Sequence, residues 1–135
     1  MHDRILVPIK PKHAKHSTEL MQKAVSMARG EEAEIIAVTI VPEIEANLRV
    51  RPDDHKPELD AFVALQDTSG VKVRTMIRTG APHRAITSTA KEFGCDLIVL
   101  NSSNPRIADY LMGSTASYVV TDALCDVFVV RQQGS

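Results

Sequence analysis

The sequence predicts an α/β fold: five strands in one parallel, doubly wound sheet with helices on both faces. Three observations carry this. A short continuous apolar run at residues 5–9, and apolar-rich segments at 33–41, 96–100 and 127–130, read as strands, the first covered on both sides. Segments between the strands repeat their apolar residues at helical spacing. The resulting order, β-α-β-α-β-α-β-α-β, calls for a parallel sheet joined by right-handed crossovers, with the first strand central. At 135 residues, a single domain over residues 1–135 accounts for the whole sequence.

Taken in order, residues 5–9 (ILVPI) open the sheet. Residues 17–29 form a helix with Leu20, Met21, Ala24, Val25 and Ala28 on one stripe, Ser17 as N-cap and Gly30 as its stop. Residues 33–41 (AEIIAVTIV) are the second strand. Residues 42–57 hold Pro42, Pro52 and Pro57 among several charges and read as a loop. A short helix at residues 58–66 uses Leu59, Phe62, Val63 and Leu65, and Ser69-Gly70 ends it. Residues 71–77 (VKVRTMI) alternate apolar and basic side chains, which predicts an edge strand with one buried and one wet face. Gly80-Ala81-Pro82 opens the next helix, with Pro82 near its first position. Its stripe is Ala85, Ile86, Thr89, Ala90 and Phe93, and Gly94 stops it. Residues 96–100 are a buried strand. Residues 114–124 are a helix with Ala116, Val119, Val120 and Ala123 inward, and residues 127–130 (VFVV) are the last strand.

Composition narrows the function classes. A net charge of −1 gives no general attraction to nucleic acid or membrane, and the absence of Trp with 4% aromatic content leaves no stacking platform for bases. No apolar run reaches the ~18–20 residues of a membrane span, and no signal peptide precedes the first strand. Cys95 and Cys125 read first as buried free thiols, with a disulfide or a metal pair as the alternative, and this usage fits a reducing cytoplasm. There is no GxSxG elbow, GxxxxGK[ST] loop or HExxH helix, and Ser102, Ser103 and His83 have no triad-like spacing. Asp53-Asp54-His55 reads as a solvated turn. A non-enzymatic protein is therefore expected.

In a doubly wound sheet, ligands sit beyond the carboxyl ends of the strands at the topological switch. That crevice would be lined by Pro8, Ile9 and Lys10, by Ile40 and Val41, and by Leu100, Asn101 and the turn through Asn104. Asn101-Ser102-Ser103-Asn104 has none of the glycines of a phosphate cradle. Asn tolerates positive φ, so the turn keeps its shape as a self-capped loop or as a seat for a smaller ligand. Gly113, Ser114 and Thr115 start a helix, where free N–H groups either are capped or meet an anion. The loop from Lys10 to His16 is basic and either overhangs the crevice as a phosphate contact or is plain solvated surface. His13 and His16 lack the partners of a metal site.

With these residues in view, the chain resembles the universal stress protein superfamily. The matching pieces are Ile5-Leu6-Val7-Pro8-Ile9; Gly80 to Phe93 leading into Asp96-Leu97-Ile98-Val99-Leu100; and Met112-Gly113-Ser114 leading into Cys125-Asp126-Val127-Phe128-Val129-Val130-Arg131. The resemblance implies the five-stranded order 3-2-1-4-5 of the adenine nucleotide alpha hydrolase-like folds. It also implies a homodimer paired through the last strand, Val127, Phe128, Val129 and Val130. ATP-binding members carry Gly-x2-Gly-x9-Gly-Ser/Thr after the fourth strand. Here the first two glycines are Asn101 and Asn104, and eight residues rather than nine precede Gly113-Ser114. The acid expected after the first strand is Lys10. Cys125-Asp126-Val127 in place of Cys-Pro-Val, and a first loop without Asp-Gly-Ser, are similar to stress-protein-like domains fused to amino-acid permeases and other secondary transporters. That likeness implies a cytoplasmic piece of a longer transporter chain.

Three functions remain open at this point: a non-enzymatic regulatory domain with a degenerate ATP loop acting through dimerisation and protein contacts, a sensor of ATP, AMP or a cyclic dinucleotide through an altered phosphate site, and, least favoured, a slow ATPase.

Overall fold

The computed structural model describes residues 2–42, 51–102 and 113–131. Five strands, β1 (Arg4–Pro8), β2 (Glu34–Val41), β3 (Val73–Thr79), β4 (Leu97–Asn101) and β5 (Asp126–Val130), form one sheet in the order β3-β2-β1-β4-β5. Every pair is parallel. The helices are α1 (Ala14–Glu31), α2 (Lys56–Ala64), α3 (Pro82–Glu92) and α4 (Ser114–Asp122). Short 3-10 turns at Pro11–His13 and Pro52–His55 precede α1 and α2.

Alternation along β1 divides the interior into two layers. Ile5, Val7 and Ile9 face α1 and α2, where they meet Leu20, Met21, Ala24, Val25, Ala28, Leu59 and Phe62. Leu6 faces the other way, with Ile36, Val38 and Ile98, against Ile86 and Ala90 of α3 and Ala116 and Val119 of α4. Ile5, Leu6 and Val7 are fully buried, which places β1 at the centre as expected. Burying one such leucine is worth about 2–3 kcal/mol.

Several local expectations need correction. Helix α1 begins three residues before Ser17, which is buried in its first turns and does not cap it. Gly30 lies within α1, and the residue that turns left-handed at its end is Glu32, with φ 57°. Helix α2 starts at Lys56 with Pro57 in its first turn, so part of the proline-rich loop is helical. It also ends two residues earlier than expected, at Ala64. Gly94 does stop α3, in the left-handed region at φ 64° where a side chain is strained. Val120 of α4 is exposed instead of inward.

The largest departure is the predicted wet face of β3. Arg74 and Arg78 are not simply solvated. Their guanidinium carbons lie 5.4 and 5.3 Å from the centre of the Phe93 ring, and Arg78 Nη2 is 3.3 Å from Glu92 Oε2. Met76, between them, packs into the α3/α4 layer, while Val73 and Ile77 pack toward α1 and α2. Arginine permits this because its flat cation stacks on an aromatic face while keeping an edge in water.

Candidate functional site

The strand order reverses between β1 and β4, so the crevice lies at their carboxyl ends. On the β1 side the backbone is held tightly. Ile9 N–H donates to Val38 O at 2.8 Å, and Thr39 Oγ1 donates to Ile9 O at 2.9 Å. Ser17 Oγ donates to Lys10 O at 2.8 Å and accepts from Lys10 N–H at 3.2 Å. His13 N–H also donates to Lys10 O, closing the turn into α1. Lys10, Lys12, His13 and Lys15 are exposed around this turn.

On the β4 side, Asn101 pairs in register with Val130, and Ser102 N–H continues the ladder to Val130 O at 2.9 Å. Gly113 N–H donates to Ser102 O at 2.7 Å, which docks the start of α4 against the end of β4. Gly113 is the buried N-cap residue of α4, in extended backbone, and among the described residues no side chain caps this helix. Ser114 is exposed and Thr115 half-buried in the first turn. Among the described residues, the first N–H groups of this helix have no side-chain acceptor. Asn104 and Ser103 lie outside the described residues.

The structure therefore brings Pro8, Ile9, Lys10, Leu100, Asn101, Gly113, Ser114 and Thr115 to one end of the sheet. Ile9, Val41 and Leu100 are 1, 2 and 4% exposed, so their side chains belong to the core and only their backbones can meet a ligand. Val41 O is also occupied, accepting from Gly80 N–H at 3.1 Å. Ile40 is half-buried and packs on the α3/α4 layer. Sequence reasoning missed Thr39 and the staple by Ser17. A lone hydroxyl in an apolar strand, and one on the buried stripe of a helix, were the available signals, because a buried hydroxyl must find a partner.

A separate concavity of about 370 Å3 lies one strand further out, over Thr79, Gly80 and Ala81 at the start of α3, beside Arg84. Gly80 has φ 126°, a region closed to most side chains, and this lets the chain turn sharply from β3 into α3.

The residues at the crevice fit a bound magnesium poorly. The end of β1 offers a lysine where a hard cation needs carboxylate oxygen. Among the described residues, no group of three His, Cys, Asp or Glu is arranged to hold a metal. An anion is the better match, given Lys10 and the uncapped start of α4.

A parallel sheet ordered 3-2-1-4-5, with a crevice at the carboxyl ends of β1 and β4, defines a doubly wound α/β domain. The model of the universal stress protein family matches residues 1–131, and the chain belongs to that family. Universal stress protein G of Shigella flexneri is 37% identical over 60 residues, 44% of this chain and 42% of that protein, so the matched stretch spans less than half of the relative. The structure of universal stress protein UspA from Lactobacillus plantarum is similar at TM-score 0.71 and 26% identity, covering 96% of this chain and 97% of that one. A universal stress protein solved in complex with cAMP matches at TM-score 0.73 and 20% identity, over 98% and 99% of the two chains, a likeness of fold. No described helix is long and apolar enough to cross a membrane.

Proposed function

We propose that the chain is a non-enzymatic regulatory domain of the universal stress protein type, with an ATP site altered beyond ordinary use, acting through dimerisation and protein contacts. The observation that carries this reading is Lys10 at the end of β1, in place of the acid that serves nucleotide and metal in ATP-binding members. Asn101 and Asn104 at the glycine positions, and the shortened spacer before Gly113, support it. Side chains at those positions add bulk where a triphosphate would approach the backbone. The likeness of Cys125-Asp126-Val127 to transporter-attached domains supports attachment to the cytoplasmic side of a transporter. Pairing of two copies through β5 is the matching assembly.

The second reading is a sensor of ATP, AMP or a cyclic nucleotide. It is favoured by the start of α4, whose first N–H groups have no side-chain cap among the described residues while Ser114 stands exposed beside them. The neighbour solved with cAMP lends it further support. Titration calorimetry with ATP, AMP, cAMP and cyclic dinucleotides separates the two readings. The regulatory reading expects no binding in the micromolar range. Micromolar binding that Ser114→Ala weakens would overturn it in favour of the sensor.

A further inference from the structure

The opposite end of the sheet holds the chain's two cysteines. Leu97 at the start of β4 pairs with Asp126 at the start of β5, so Cys95 and Cys125 stand just ahead of two neighbouring strands. Both belong to the α3/α4 layer, so both sulfurs face the same side. Both thiols are free, Cys95 buried and Cys125 half-buried. Between the ends of α3 and α4 they line one cleft of about 390 Å3. Ala90 and Ile98 contribute apolar surface to the same cleft, and Lys91 and Asp122 charged groups.

We propose that Cys95 and Cys125 form a dithiol site for a soft, trivalent metalloid, the class represented by organic arsenic(III) oxides. Burial chiefly pushes the Cys95 thiol up to about 11, and burial likewise raises Cys125. Both therefore stay protonated at neutral pH, which slows peroxide attack and disfavours divalent metals, since those reactions need thiolates. Condensation with an arsenic(III) oxide uses the protonated thiols directly. Two arsenic–sulfur bonds form, the arsenic–oxygen bonds break, and both S–H protons leave on that oxygen as one water. Arsenic remains trivalent, no electron is exchanged, and no charge is left against the apolar lining. A bridging atom also tolerates a wider sulfur spacing than a direct disulfide, whose geometry is narrow. Cys125, the more exposed, takes the first bond. Cys95 then closes the chelate at high effective concentration.

The test is phenylarsine oxide added to the reduced protein in excess glutathione, followed by intact-mass measurement and maleimide titration of the remaining thiols. The expected result is one adduct per chain, weighing the reagent less one water, with both thiols lost to maleimide and both restored by 2,3-dimercaptopropanol. Cys125→Ala and Cys95→Ala should each weaken retention by roughly a hundredfold or more, the loss of the chelate. Circular dichroism checks folding, and if the buried Cys95→Ala fails to fold, Cys125→Ala alone decides. No adduct, two arsenicals per chain, or a single-cysteine variant that holds the reagent as firmly as the parent would each overturn the proposal.

Discussion

The two edges of the sheet are built on opposite principles. Edge strand β3 carries Arg74 and Arg78, and both lie over Phe93 of the segment that ends α3. Thr75, on its other face, bonds Asp60 of α2. Edge strand β5 carries Val127, Phe128, Val129 and Val130, with Phe128 39% exposed and Val120 and Leu124 exposed nearby in sequence. Charged, twisted or covered edges resist pairing with another chain, whereas apolar open ones invite it. One edge thus carries cations held by its own side chains, and the other is apolar and partly exposed.

The largest effect is expected from breaking the charged edge. Phe93→Ala removes the ring beneath both arginines and leaves two cations over a hollow. A loss of about 2–3 kcal/mol is expected, less than for a fully buried phenylalanine. Urea denaturation measures it, and an unchanged midpoint would show that the stacking contributes nothing.

Next, the apolar edge can be made to resemble the charged one. Phe128→Lys should leave stability within about 1 kcal/mol, since the side chain is largely at the surface. If two copies pair through β5, light scattering should show the mass fall from dimer to monomer. A parent that is already monomeric at high concentration, or a variant that stays dimeric, would remove β5 as the pairing surface.

The smallest effect concerns a tether at the start of β5. His2 Nδ1 is 2.8 Å from Glu31 Oε2, and Nε2 is 2.9 Å from Asp126 Oδ2. The Asp126 bond first, then the Glu31 bond, raises the histidine above its ordinary value of 6.5. Both nitrogens donate only when the ring is charged. A folded value above the unfolded one means the contribution is fully present below about pH 6.5 and fades as pH rises through the folded value. Between about pH 6 and about pH 8, the parent should therefore lose more thermal stability than His2→Gln. Parallel curves for the two would refute the tether.

What could be read from the sequence follows from where the chain obeys a period. β1, β2 and β4 are covered on both faces and show it as unbroken apolar runs. The stripe of α1 named all its buried apolar residues, Leu20, Met21, Ala24, Val25 and Ala28. Legibility failed where one residue type serves two environments. An alternating Val-Arg strand looks half wet, and only the packed Phe93 shows that its arginines are stacked. Ser17 looked like a cap because serine caps helices well, but it lies one turn inside α1 and fastens the preceding loop. Gly30 looked like a stop, yet Glu32 takes the left-handed position. For the crevice, sequence anticipated that the ends of β1 and β4 and the start of α4 share one end of the sheet. It could not tell that Ile9, Val41 and Leu100 turn their side chains into the core.

The Ser17 staple has one more consequence. Because its hydroxyl engages both the N–H and the C=O of Lys10, the main-chain groups of that residue are already occupied. Were an anion to bind there, discrimination would fall to the Lys10 ammonium, a point charge that senses how negative a molecule is and little about its outline. Such a contact fades with added salt. It would rank polyanions by valence, and any finer choice among nucleotides would have to be made on the α4 side, by the oriented amides behind Gly113.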